Sequence, residues 1–275
     1  MTLVLALVSV WLGVLAYQPR LQVIACDVGQ GDATLITQGG NQILIDGGPN
    51  EAVLSCLGNY MPFWDRKIEL IVLTHPQADH YQGLIAVTSR YNLDTVVLPE
   101  ADSGSQDYQV LIKQVGGSAK RVIMAQGAVN TRLGLIYLDI FGLTYQNEKQ
   151  TAFQSPKNPN DSSLISRLKY GQFTALFTGD ATPKLLANLI AQGFIGQETY
   201  LKVPHHGSKN GLSEAALGVI KPEIATISVG VKNSYGHPHR EVLDLLNKYQ
   251  VKYFRTDEKG DVRVFSDGKT YWLSN

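Results

Sequence analysis

Hydrophobic positions in this chain come in short runs separated by glycine-rich turns, with amphipathic stretches between them. Leu21–Cys26, Ala33–Thr37 and Gln42–Ile45 are apolar or alternating runs, the pattern of strands. Gly29-Gln30-Gly31-Asp32 and Gly39-Gly40 separate them as turns, and Asp46-Gly47-Gly48-Pro49 closes the third. Leu70–Leu73 reads as a buried strand, followed by a histidine-bearing loop and an amphipathic stretch from Tyr81 to Arg90. Thr95–Leu98, a helix near Ser105–Val115, and strands near Val122 and Leu135–Phe141 complete a first half. Tyr145–Asn160 is polar and rich in Pro and Asn, which predicts a long loop of the kind that is functional or mobile.

The second half repeats the style. Ser162–Leu168 and Phe173–Phe177 form a hairpin through Gly171, and Pro183–Ala191 is a helix with Thr182 as N-cap. Tyr200–Val203 is a strand, Ser213–Val219 a short helix, Ile224–Val229 a strand, and His239–Tyr249 a helix opened by Pro238. Val262–Phe265 and Lys269–Leu273 form a closing hairpin turned at Asp267-Gly268. Many short strands with helices after each group predict an α/β protein built as a layered sandwich.

The N-terminus stands apart. No charged side chain occurs from Met1 to Pro19, and Leu3 to Tyr17 is almost wholly apolar. That run is short for a spanning helix, which needs about 20 residues. It suits a membrane anchor or a signal-peptide core, with Val14-Leu15-Ala16 as a cleavage site but no positive residues before it. The alternative is a first core helix or strand. The expected organisation is a hydrophobic segment, 1–19, and one domain, 20–275.

Composition narrows the function classes. Lys+Arg and Asp+Glu are both 24, so global charge excludes a strongly basic nucleic-acid coat protein, although a local basic groove remains open. Cys26 and Cys56 are the two cysteines, which excludes a disulfide-dense scaffold and a cysteine zinc finger and leaves their pairing open.

The chemistry gathers on the histidines. His75 and His80, His205 and His206, and His237 and His239 form three clusters, each following an apolar strand. Strand ends in α/β folds converge on one crevice, so the clusters are expected to meet. Thr74-His75-Pro76-Gln77-Ala78-Asp79-His80 offers imidazole and carboxylate at a spacing that suits a divalent metal. In Phe177-Thr178-Gly179-Asp180 an apolar strand ends on a carboxylate, whose two oxygens can bridge two ions. Alone, an Asp after Gly is most often a turn residue or an N-cap, so Asp180 gains its meaning from the histidine clusters.

With these residues the chain resembles the metallo-β-lactamase superfamily, which carries a His-x-His-x-Asp-His loop, a further His, a bridging Asp and a last His. More narrowly, it is similar to the C-terminal, extracytoplasmic domain of ComEC-type competence proteins, the DNA-uptake channel family. The matching stretches are Asp27-Val28-Gly29-Gln30-Gly31-Asp32-Ala33, Leu44-Ile45-Asp46-Gly47-Gly48, Thr74 to His80, Asn160-Asp161-Ser162-Ser163-Leu164, Phe177 to Asp180, Lys202-Val203-Pro204-His205-His206-Gly207-Ser208 and Tyr235-Gly236-His237-Pro238.

The resemblance implies a four-layer αββα sandwich with the site at one edge of the paired sheets, and a metal-dependent hydrolase. It implies His75, Asp79 and His80 as loop ligands, Asp180 as the bridging ligand, His205 as the last His with His206 beside it, and Asp46 as a brace behind the histidine loop. Two positions depart from the family. Gln77 stands where the superfamily has His and the competence domains usually have Asp, and Asp161 lies nearest the place of the missing middle His. A neutral amide is a weak ligand, so one firm and one weak site for Zn²⁺ or Mn²⁺ are expected.

The expected function is a phosphodiesterase or nuclease acting on DNA, single-stranded by preference, in competence-type uptake. The alternatives are a catalytically weak DNA-guiding domain and a hydrolase of a small phosphodiester. Asp180 would hold the metal and orient water, and His237 would donate a proton to the leaving oxygen. Lys202, Lys209 and Lys232 flank the metal loops and would contact phosphates. The hydrophobic start looks like the tail of a last membrane helix. It implies a membrane-associated protein with its metal domain outside the cytoplasm and a membrane channel as partner.

Overall fold

The computed structural model describes residues 19–142 and 158–273. The apolar run Leu3–Tyr17 and most of the Tyr145–Asn160 loop lie outside the described residues. In chain order the strands are β1 (Leu21–Ala25), β2 (Thr34–Gln38), β3 (Asn41–Ile45), β4 (Lys67–Val72), β5 (Asn92–Pro99), β6 (Ala119–Ala125), β7 (Ala128–Leu133), β8 (Ile136–Phe141), β9 (Ile165–Tyr170), β10 (Phe173–Phe177), β11 (Tyr200–Lys202), β12 (Ile224–Ile227), β13 (Lys252–Arg255), β14 (Val262–Ser266) and β15 (Tyr271–Leu273). The helices are α1 (Ala52–Tyr60), α2 (Ala78–Arg90), α3 (Gln106–Ser118), α4 (Pro183–Ala191), α5 (Glu214–Ile220), α6 (Arg240–Lys248) and α7 (Thr256–Lys259).

Two mixed sheets result. One runs β15-β14-β1-β2-β3-β4-β5-β6 and the other β13-β12-β11-β10-β9-β8-β7. Strand periodicity assigns each side chain to a layer: in β3, Ile43 and Ile45 point between the sheets while Leu44 points to the helices. Helices α1, α2 and α3 cover the outer face of the first sheet, through Leu57, Leu84 and Leu111 among others. The outer face of the second sheet is covered by α4, α5 and α6 through Leu186, Leu217 and Leu246. Each such buried leucine contributes about 1.5–3 kcal/mol. The expected αββα sandwich is therefore three apolar interfaces between four layers.

Parallel pairing positions the site. β3, β4 and β5 are parallel neighbours, and so are β10, β11 and β12. The loops leaving their C-terminal ends, 46–50, 73–77, 178–182 and 203–208, carry most of the expected ligands to one edge of the sandwich.

Element by element the sequence pattern holds, with differences at weak signals. The Thr182 cap is present, its hydroxyl accepting from Leu185 N–H. Helix α1, edge strand β7, short strand β13 and helix α7 were not expected. Cys26 and Cys56, left open by the sequence, form a disulfide with Cα atoms 5.8 Å apart, tying the end of β1 to α1.

Candidate metal centre

The histidine loop is held from behind by Asp46. Its oxygens accept from Thr74 N–H and Thr74 Oγ1, each at 2.8 Å, and its Oδ2 lies 2.9 Å from His80 Nδ1. This occupies His80 Nδ1 and leaves Nε2 facing the crevice. Close backbone approach fixes the frame. A Cβ at Gly83 would sit 2.0 Å from the Gly47 carbonyl oxygen, and one at Gly31 would sit 2.3 Å from the Asp79 carbonyl oxygen. Only glycine lets α2 seat against the Asp46 loop, and only glycine lets Asp32 N–H reach the Asp79 carbonyl at 3.1 Å.

Four side chains converge in front of this brace. Asp180 Oδ1 lies 3.4 Å from His80 Nε2 and 3.5 Å from His206 Nε2. Asp79 Oδ2 lies 3.3 Å from His206 Nε2 and 3.9 Å from His80 Nε2. A tetrahedral ion with bonds of about 2.0–2.1 Å sets its ligand atoms about 3.4 Å apart. His80, Asp180 and His206 are at most 1% exposed, and His80 Nε2, Asp180 Oδ1 and His206 Nε2 are buried with no hydrogen-bond partner. Buried polar atoms are ordinarily satisfied, so three orphans aimed at one point fit a divalent cation.

Asp32 also approaches this cluster, but from the rear. Its oxygens face the Nδ1 atoms of His206, at 3.4 Å, and His80, at 3.9 Å, not their Nε2 atoms. It also accepts from Lys202 Nζ. His206 Nδ1 further lies 2.9 Å from the Ser228 carbonyl, which fixes Nδ1 as the donor and Nε2 as the free ligand atom. Ligand atoms of Asp32, His80, Asp180 and His206, one from each, lie within 4.8 Å of one another. Asp32 meets both histidines through Nδ1, as a brace would, while Asp79 Oδ2 approaches their Nε2 atoms as a candidate fourth ligand.

The second position is less complete. Asp180 Oδ2 lies 3.6 Å from His205 Nε2, and Asn160 Nδ2 lies 3.4 Å from His205 Nδ1. His75 spends Nε2 on Gln77 Oε1 at 2.9 Å. An imidazole and an amide that satisfy one another must part before either binds an ion.

The charges complete the picture. Burial opposes the imidazolium of His206, but Asp180 and Asp32 outweigh it and raise its pKa to about 10. His80 is likewise held well above its ordinary value, burial being outweighed by Asp180, Asp46 and Asp79. Burial alone would raise Asp180, yet His206 and His80 hold it well below the usual carboxylate range. Burial dominates at His75, brought down to about 4, and lowers His205. A divalent ion among Asp79, His80, Asp180 and His206 would take the place of two imidazolium protons with no change in total charge.

Several expectations change. His206, not His205, meets Asp79 and His80, because both histidines and Gly207 take left-handed backbone conformations, with φ of 52°, 52° and 80°. Asp161 is turned away, accepting from Thr182 Oγ1 at 2.6 Å, and its neighbour Asn160 reaches His205 instead. Lys202 is no phosphate contact: it is 2% exposed, and its Nζ donates to Asp32 and, at 3.1 Å, to the Gly179 carbonyl. Lys209 and Lys232 are exposed. His237 stands over the cluster, its ring 6.4 Å from that of His206 and 5.7 Å from that of His205. Burial and the neighbours His206, His239 and His205 bring its pKa down to about 4, so at neutral pH the ring is a neutral imidazole. Sequence reasoning missed Asp32, Asn160 and Thr74; the signal for Asp32 was a carboxylate at the entry to an apolar strand, read only as a turn.

This arrangement is that of a metallo-β-lactamase fold. Residues 26–231 match the metallo-β-lactamase superfamily, and the chain belongs to it. Over most of its length the chain is also homologous to ComEC-type competence proteins. It is 30% identical over 251 residues to Recombination protein 2 of Haemophilus influenzae, covering 90% of this chain and 29% of that protein. It is 27% identical over 258 residues to ComE operon protein 3 of Bacillus subtilis, covering 86% and 32% respectively. The chain thus spans about a third or less of either relative's length. Among solved structures, the metallo-β-lactamase fold protein YhfI from Bacillus subtilis matches with a TM-score of 0.58 at 13% identity, covering 93% of this chain and 100% of that one. A diphosphatase of the PhnP family matches with a TM-score of 0.51 at 13% identity, covering 90% and 98%. At these identities the likeness carries the fold alone.

Proposed function

We propose that the chain is a metal-dependent phosphodiesterase that cleaves DNA, single-stranded by preference, in competence-type uptake. The observation that carries this reading is the convergence of His80 Nε2, Asp180 Oδ1 and His206 Nε2, all buried and unpartnered, with Asp79 Oδ2 beside them. Asp79, His80, Asp180 and His206 would hold a divalent ion, Zn²⁺ or Mn²⁺, which supplies positive charge to a phosphoryl oxygen and lowers the pKa of a water. Asp180 keeps Oδ2 for the second position, beside His205. The imidazole of His237 would take a proton from the attacking water and hand it on to the leaving oxygen. Lys209 and Lys232 meet the flanking phosphates of a polyanionic substrate.

DNA is chosen over a small phosphodiester because the competence relatives match 86–90% of this chain. One observation favours a second reading, a DNA-guiding domain with little turnover: His75 and Gln77 satisfy each other, which leaves the second position weak. Turnover of single-stranded DNA and of bis-(p-nitrophenyl) phosphate in Mn²⁺ or Zn²⁺, beside Asp180→Asn, separates the readings. The nuclease reading expects DNA cleavage that Asp180→Asn abolishes. DNA binding without cleavage in either metal would favour the guiding domain. We further infer that the domain works outside the cytoplasm at a membrane; the Cys26–Cys56 disulfide supports this, since such bonds persist in oxidising compartments.

A further inference from the structure

Pro62 to Asp65 form a tight turn in which Asp65 N–H donates to the Pro62 carbonyl at 2.8 Å. Phe63 and Trp64 hold its two central positions. They are 81% and 73% exposed, with rings edge to face at 4.8 Å. Central turn positions favour Gly, Pro, Asn, Asp and Ser. Aromatic residues there serve no turn geometry, and both rings stand in solvent.

The location of the turn is informative. It immediately precedes β4, whose other end delivers the histidine loop, so the turn and the metal centre lie at opposite ends of the sandwich. The chain enters the domain at this same end. Gln42 Nε2 donates to Asp65 Oδ2 at 3.0 Å, and Gln38 Nε2 donates to the Pro19 carbonyl at 3.0 Å. β1 to β4 are neighbours in order, so Pro19 and the aromatic turn are three strand spacings apart, about 14 Å. Residues 1–18, which lead into Pro19, contain no charged side chain.

We propose that this end of the domain docks on a phospholipid bilayer, with Phe63 and Trp64 seated at the level of the headgroups. Two aromatic side chains offer about 300–500 Å² of surface. That is well short of the roughly 1,200 Å² of a standard protein interface. It suits an aromatic interfacial contact that adds to an apolar segment entering beside it. Charge is not the driving force: Lys67 beside the turn is paired with Asp94 at 2.6 Å and Glu69 at 3.1 Å, and the Arg66 guanidinium lies over the Tyr91 ring at 5.6 Å. Docking in this way turns the metal centre away from the lipid. The inference is independent of the nuclease reading.

The test uses the full chain with Trp11→Phe and Trp272→Phe, which leaves Trp64 as the sole tryptophan, mixed with phosphatidylcholine vesicles. The expected result is a blue shift of Trp64 emission, quenching by lipids brominated near the headgroup end of the acyl chain, and loss of access to acrylamide. A second variant carries Tyr235→Trp with Trp11, Trp64 and Trp272 all changed to Phe. Its tryptophan lies at the metal end and should stay open to acrylamide and unquenched by bromolipid. Vesicle-bound protein whose Trp64 keeps full acrylamide access would overturn the proposal while leaving an N-terminal anchor standing. Trp64 shielded without lipid in a concentration-dependent way would also overturn it, since a second copy would then cover the turn. Failure of the chain to sediment with vesicles would end both.

Discussion

His206 reaches the cluster because the backbone turns left-handed at two successive histidines, a conformation that costs a non-glycine residue about 1–2 kcal/mol. Such strain persists where the surroundings over-determine it. Here Nδ1 of His206 is held by the Ser228 carbonyl and by Asp32. His206→Ala should therefore abolish tight binding of the first ion, while His205→Ala should leave that ion bound and weaken only the second; titration with a competing chelator measures both. Asp46→Asn keeps the shape but loses the charge behind His80, and metal affinity should fall about 10–100-fold. The same titration checks it, and an unchanged affinity would mean that Asp46 braces the loop without tuning the ligand. The histidine and aspartate spacing of these ligands was legible because chain neighbours carry it. The pairing of Lys202 with Asp32 was not, because the partners are 170 residues apart and nothing local names a lysine's partner. A lysine inside the apolar run of β11 does require a buried carboxylate, which is the physical clue that the phosphate assignment overlooked.

Elements whose local signal is strong were legible, and those defined by neighbours were not. β3 alternates and ends on a glycine turn, and α4 has its Thr-Pro start, so both stand out. Helix α1 carries Gly58 and its N-cap residue Glu51 makes no side-chain cap bond, and β13 is a four-residue parallel strand whose pairing with β12 cannot be read locally. α1 has a covalent support that its weak intrinsic signal makes valuable. The Cys26–Cys56 bond closes a loop with a sequence separation of 30, and loop-closure entropy gives it about 3–4 kcal/mol. Cys56→Ser, or reduction, should lower the free energy of unfolding in urea by that order. A shift below about 1 kcal/mol would show that the packing of Leu57 and Val53 holds α1 unaided.

At the scale of the whole molecule, the candidate ion joins the two sheets. Asp79 and His80 follow β4 of one sheet, and Asp180 and His206 follow β10 and β11 of the other. Without an ion, that junction is held by protonated histidines between carboxylates. His206 has a folded pKa of about 10 against an ordinary 6.5, and His80 is raised in the same direction. A raised histidine contributes its stability fully below the unfolded pKa and loses it as pH climbs through the folded value. The metal-free protein should therefore lose melting temperature as pH rises from about 6.5 towards 10. Asp79 and Asp180 are shifted downward, so their contributions vanish only in acid, outside this window. An ion replaces the imidazolium protons, so its affinity should rise with pH and its binding should release about two protons. Present at 100 times its Kd, it adds about 2.7 kcal/mol. At fixed Zn²⁺ or Mn²⁺, the thermal shift should be small at pH 6 and large at pH 9, opposing the decline of the metal-free protein. Asp180→Ala should flatten both curves, because it removes the carboxylate that holds both imidazoliums and the ion. A metal-induced shift that is equal at pH 6 and pH 9 would show that the histidines of the junction are already neutral, and that the ion displaces no protons.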